Sequence, residues 1–193
     1  MNTQPIIKHF STYLPLNQQE IAALESAIIE RNIKRKQFIL QEGDICKHYT
    51  FIVQGCFKMY KVDNYGNEHN LQFSTEDGWI GDLGSFYSEK KSELYIEALE
   101  PSIIFQIAKP DLLHLFTNHP KFNIKFRVLV ENAFIQLQKR ILQNISSTAE
   151  ERYVDFIANH PGLFNRISNV QIASYLGITP EFLSKIRKEL ASK

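Results

Sequence analysis

Apolar residues recur at two different periods along this chain, and the change of period divides it. Ile21, Leu24 and Ile28 fall on one helical face. Pro15 precedes them, and Asn17 with Glu20 matches a capping box, so the first helix is expected near Asn17. From about residue 37 to 107 the pattern changes to short apolar and aromatic runs broken by turn residues. Tyr49–Val53, Phe57–Val62, Leu71 with Phe73, Tyr95–Leu99 and Ile103–Ile107 read as strands. Gln54–Gly55, Asp63–Asn67 and Glu100–Pro101 read as the turns between them. No helical stretch separates these strands, which argues against βαβ units and for an antiparallel sandwich or jelly roll.

Beyond residue 107 the helical period returns. A short helix carrying Leu112, Leu115 and Phe116 is expected from Pro110–Asp111. A long helix follows from about Lys121 to Ile145, with Phe126, Val130, Ala133, Leu137 and Ile141 as one apolar stripe. Two readings of that stripe stand side by side: packing against its own domain, or a seam with a second copy. Ser147 or Thr148 can cap the next helix, Glu151–Asn159, which ends at Pro161–Gly162. A domain boundary belongs near residues 145–148.

The last stretch reads as helix, glycine turn, helix. Val170–Leu176 turns Ile172, Ala173 and Leu176 inward, Gly177 breaks it, Thr179 is the next cap and Pro180 the first helical position. Leu183, Ile186 and Leu190 form the inner face of the second helix. Its polar face carries Pro180, Glu181, Ser184, Lys185 and Lys188. Such a helix can read DNA, because Lys donates to guanine acceptors and Glu accepts from cytosine. The plainer reading is a helical hairpin with a solvated face.

Charge sharpens this picture. The net charge of +1 conceals −2 over residues 1–161 and +3 over residues 162–193. The basic end therefore coincides with the candidate reading helix. Other chemistry is sparse. Cys46 and Cys56 make no disulfide framework. Should they meet across a sheet, two thiols alone still make a poor metal site, and His48 and His69, if they face each other, lack a third ligand. No phosphate loop, dinucleotide fingerprint, His-Glu-x-x-His pair or nucleophile elbow occurs, so no enzyme chemistry is expected. No long apolar run and no leader pattern are visible, so a cytoplasmic protein without a membrane contact is expected.

The segment Ile172–Arg187, together with the β-rich middle, resembles transcriptional regulators of the Crp/Fnr superfamily, in the variant common in Bacteroidetes. The resemblance runs from the first helix to Leu190. It implies an α+β fold: an antiparallel jelly roll of the cyclic-nucleotide-binding type, a long dimerisation helix and a C-terminal helix-turn-helix domain. The corresponding domains are a sensor over residues 1–120, the helix over 121–146 and a DNA-binding domain over 147–193. The implied partners are double-stranded DNA, a second copy, RNA polymerase and an unknown small-molecule effector, with no resident cofactor. The implied DNA-binding residues are Thr179, Pro180, Glu181, Ser184, Lys185 and Lys188. Phe126, Val130, Ala133, Leu137 and Ile141 then form the dimer interface.

The segment from Trp79 to Phe86 falls where such rolls hold the phosphate-binding cassette. The ligand-pocket candidates are Trp79, Gly81, Asp82, Leu83, Ser92 and Glu93, with Phe86 and Tyr95 as further lining. Asp82 stands where an acid accepts from the ribose hydroxyl. Where an Arg–Ser pair holds the cyclic phosphate, this chain has Ser92–Glu93. A carboxylate there repels an anion, so cyclic AMP is not the expected ligand. Little chain follows Leu190, so a reduced wing is expected, with Leu163–Ile167 as the remaining place for its strands. A dimeric scaffold, or a partner-regulated protein of this fold without specific DNA binding, remains the alternative.

Overall fold

The structure, a computed structural model, describes residues 1–12 and 14–192. Its strands are β1 (Ile28–Ile33), β2 (Phe38–Leu40), β3 (His48–Gln54), β4 (Phe57–Val62), β5 (Glu68–Ser74), β6 (Trp79–Ile80), β7 (Tyr95–Ala98) and β8 (Ser102–Ala108). Its helices are α1 (Gln4–Ser11), α2 (Gln18–Ala27), α3 (Leu83–Ser88), α4 (Lys109–Asn118), α5 (Pro120–Ser146), α6 (Ala149–Asn159), α7 (Asn169–Leu176) and α8 (Pro180–Ala191). Two compact units result: Met1–Met59 with Phe73–Asn132, and Tyr60–Gln72 with Ala133–Lys193.

The first unit is built on two four-stranded sheets, ordered β1-β8-β3-β6 and β2-β7-β4-β5. Strands β1 and β3 both pair antiparallel with β8, and β6 completes the sheet on β3. Residues in register share a face, so Thr50, Gln106 and Ile80 lie on one side and Phe51, Phe105 and Trp79 on the other. The aromatic side packs against helices. Trp79 meets Phe10 of α1 at 6.0 Å and Phe126 of α5 at 5.1 Å between ring centroids. Burial of these large rings helps stabilise this unit. His9 joins them, accepting from Trp79 Nε1 at 3.1 Å, and burial with nearby Lys125 lowers its pKa to about 4.

Helix α2 starts as expected, with Asn17 and Glu20 in a reciprocal capping box. Five elements go beyond the sequence reading: the strands β1, β2 and β6 and the helices α1 and α3. Helix α1 precedes α2, opened by Pro5 and burying Ile6, Ile7 and Phe10. Ile28 ends the helix rather than extending it, because its backbone is extended and pairs with Ile107. The short helix α3, capped by Asp82, follows β6.

The second unit gathers the tip of the β4–β5 hairpin, the later part of α5, and helices α6, α7 and α8. Thr148 and Glu151 cap α6 reciprocally. Tyr153, Phe156, Leu163, Ile167, Ile172 and Leu183 are among its buried residues. Residues 163–167 form turns and not wing strands: the amides of Arg166 and Ile167 both donate to the Leu163 carbonyl. Leu163 and Ile167 serve as core plugs there.

Candidate nucleic-acid interface and the roll

The helix-turn-helix is fixed by local chemistry. Ser168 and Gln171 form a capping box at the start of α7. At its end Gly177 adopts φ 68°, a left-handed conformation that suits glycine. The Ile178 amide turns back to the Ala173 carbonyl at 3.0 Å. The Thr179 hydroxyl then accepts from the Phe182 amide at 3.2 Å, and Pro180 opens α8. Helix α7 packs on α8, with fully buried Ala173 permitting close approach and Leu183 and Ile186 turned inward.

The opposite face of α8 is open. Thr179, Glu181, Ser184, Lys185 and Lys188 are exposed and Pro180 is half-buried. Ser184 Oγ donates to the Pro180 carbonyl at 2.9 Å, and Lys185 Nζ lies 3.9 Å from Glu189 Oε1. That exposed pair is weak and leaves the ammonium ready for another anion. Arg187 is used differently: it donates to the Asn169 side chain and lies 4.9 Å over the Phe164 ring. Phe182, 47% exposed on the first turn, flanks the polar face.

Within this unit α7 is held from its other side by the hairpin tip. Ser174 Oγ donates to the Glu68 carbonyl at 2.6 Å and accepts from the Asn70 amide at 3.0 Å. Arg140 of α5 donates to the Leu71 and Tyr175 carbonyls at 2.5 and 2.8 Å and stacks 3.9 Å over the Tyr175 ring. These bonds position the motif without using the exposed face of α8.

The α5 stripe divides. Phe126 is 4% exposed, enclosed by Phe10, Tyr49, Phe116 and Trp79, so it belongs to the protomer core and not to an outer seam. Val130, Ala133, Leu137 and Ile141 are exposed, joined by Phe134 and Ile145. Sequence reading left Phe134 and Ile145 out of the stripe, although both fit its helical spacing.

In the roll, the expected pocket residues separate. Asp82 Oδ1 caps α3 at the Ser85 amide and its Oδ2 accepts from Ser92 Oγ at 2.7 Å. Ser92 is buried and Glu93 is exposed. Trp79 and Phe86 are core residues, and Leu83 packs half-buried against that core. The Tyr95 hydroxyl donates to Glu42 Oε2 at 3.2 Å. Of the six candidates only Gly81 lines the cavity of about 230 Å³ in the roll. A Cβ on Gly81 would come 2.8 Å from the Tyr49 ring, so glycine is required by close approach.

Residues 30–119 match the family model described as the cyclic nucleotide-binding domain. The regulatory protein HlyX of Actinobacillus pleuropneumoniae is 29% identical over 89% of this chain and 75% of its own length. The transcriptional activator protein Anr of Pseudomonas protegens is 22% identical, over 90% of this chain and 75% of its own length. The solved structure of FixK2 from Bradyrhizobium japonicum superposes with a TM-score of 0.75 at 18% identity, covering 86% of this chain and 85% of that one.

The chain is similar to transcriptional regulators of the Crp/Fnr superfamily. Its relatives in that family are transcriptional regulators, and the antiparallel roll, long helix and helix-turn-helix follow the same plan. Cys46 and Cys56 are buried and neither forms a disulfide. Burial pushes the Cys46 thiol up, away from a reactive thiolate. His48 and His69 lie in strands of different sheets, and His69 Nε2 sits 2.9 Å from Asp63 Oδ2. Among the described residues no group of three or more His, Cys, Asp or Glu side chains is placed to hold a metal, and no helix is long and apolar enough to cross a membrane.

Proposed function

We propose that this chain is a cytoplasmic, homodimeric regulator of transcription that reads a specific DNA sequence with α8. The observation that carries the reading is the capped, outward face of Glu181, Ser184, Lys185 and Lys188 on a helix locked by its neighbours. Side chains at the start of such a helix reach base edges in the major groove, while cations and backbone groups hold phosphates. The exposed apolar run of α5, from Val130 to Ile145, supports pairing with the same helix of a second copy. Its residues recur at three and four positions, the spacing of a helix–helix seam. Two copies present two reading helices to half-sites about one DNA turn apart.

The roll does not take cyclic AMP in this reading. The Asp82 carboxylate is engaged by Ser85 and Ser92, and exposed Glu93 stands next to Ser92 where a phosphate would need a cation. Calorimetry with cyclic AMP checks this: no heat of binding is expected, and micromolar affinity contradicts it. The reading helix is tested by selection of the protein on random duplexes. A two-fold symmetric site is expected, lost on Lys185→Ala. Recovery of no site, with a protein complex surviving Lys185→Ala, favours the scaffold reading. RNA polymerase is the partner through which a bound regulator acts.

A further inference from the structure

The inner face of the β1-β8-β3-β6 sheet carries polar side chains deep in the roll. Thr50 and Gln106 stand opposite each other in register and are 1% and 3% exposed. Gln106 Nε2 donates to Thr50 Oγ1 at 3.2 Å, and Gln106 Oε1 accepts from Arg31 Nη1 at 3.0 Å. The guanidinium is thus held in one orientation by a buried amide whose other end is fixed. Such a chain costs stability unless every member is satisfied, and it rigidifies the site it builds.

These three residues line the roll cavity together with Cys46, Lys47 and His48. Its charged lining is of one sign. Arg31 and Lys47 are cationic, and no acidic residue lines it among the described residues. No carboxylate pairs with Arg31 among the described residues either. Burial, then Arg31, then Lys47, pull the His48 imidazole below its ordinary pKa, while Asp111 opposes them. Both cations therefore act on His48 in the same direction as burial. Asp82 and Ser92 are not part of the lining, so this place differs from the pair the sequence pointed to. The remaining walls are largely apolar, and about 230 Å³ is less than drug-sized ligands occupy.

We propose that the roll cavity binds a small organic anion, its carboxylate or phosphate group held by Arg31 and Lys47 beside His48 and its body against the apolar walls. Arginine suits this role because its planar fork of donors matches both oxyanions. The site would be the effector pocket of the regulator proposed above, and in that respect it rests on that reading.

The test is calorimetry on the full chain without DNA, using benzoate, phenyl phosphate and uncharged benzyl alcohol. At least one anion is expected to bind and the alcohol is not. Arg31→Gln should weaken the anion by about tenfold or more, and Lys47→Gln by less. Asp82→Asn should leave it unchanged. Thermal melting of each variant confirms that it folds. Preference for benzoate or for phenyl phosphate identifies which oxyanion the site takes. Absence of binding by both at millimolar concentration, equal binding of the alcohol, or binding insensitive to Arg31→Gln overturns the proposal. DNA selection is a separate measurement, so either claim can fail while the other stands.

Discussion

At its beginning α5 buries Phe122 and Phe126 among Phe10, Phe116 and Trp79. Further along the same helix Leu137, Ile141 and Ile145 stand exposed, the last at 79%. The apolar spacing is continuous through both parts. What differs is the company: α1, α4 and the β3–β6 sheet face supply partners to the first part within the protomer. The second part finds no equivalent cover among the described residues. A helical period therefore names a face to be buried, and only tertiary structure says by what. In the proposed reading, the exposed part is the portion of the stripe that pairs with a second copy.

This contrast can be broken by experiment. The largest effect is expected from Phe126→Ala, which opens a cavity in an aromatic core and should cost about 3–5 kcal/mol in denaturant unfolding. Ile141→Glu should do something different. It places a charge in the proposed seam, so sedimentation should show the dimer weakened by about 2–4 kcal/mol while helical content is kept. A wild-type chain that sediments as a monomer contradicts the seam.

The next test concerns the buried part alone. His9 is held near a pKa of about 4, against 6.5 for the unfolded chain. Between those values the unfolded chain takes up a proton that the folded chain refuses, so stability should fall as pH drops from 6.5 towards 4. His9→Gln should flatten that slope in thermal melts across the range. The smallest effect is expected where α6 begins, beyond the exposed part. Thr148→Ala removes a capping oxygen and should cost about 1 kcal/mol in denaturant unfolding.

The architecture was legible wherever local chemistry decides it. The caps at Asn17 and Thr179, the Gly177 turn and five strands of the roll stand in the structure as read, and Thr148 is the one of two candidate residues that caps α6. Ile28 was misread because it continues the helical spacing of Ile21 and Leu24. Its strand comes from pairing with Ile107, far away in sequence. Helix α1 was missed, although Ile6 and Phe10 share a face behind Pro5. The cavity was illegible for a different reason. Arg31, His48 and Gln106 belong to three strands, so no local spacing joins them. Asp82 was noticed as a ligand acceptor, yet its helix cap and its bond to Ser92 depend on a short helix that the sequence pattern did not reveal.

The most direct measurement of the central claim is selection of bound sequences from a random duplex pool, for the wild-type chain and for Lys185→Ala. The account predicts one enriched two-fold symmetric site for the wild type. It also predicts a loss of about 1–3 kcal/mol in affinity for that site in the variant, read by titration at fixed salt. No enriched sequence, or an enriched site bound equally well by Lys185→Ala, contradicts the assignment of α8 as the reading helix.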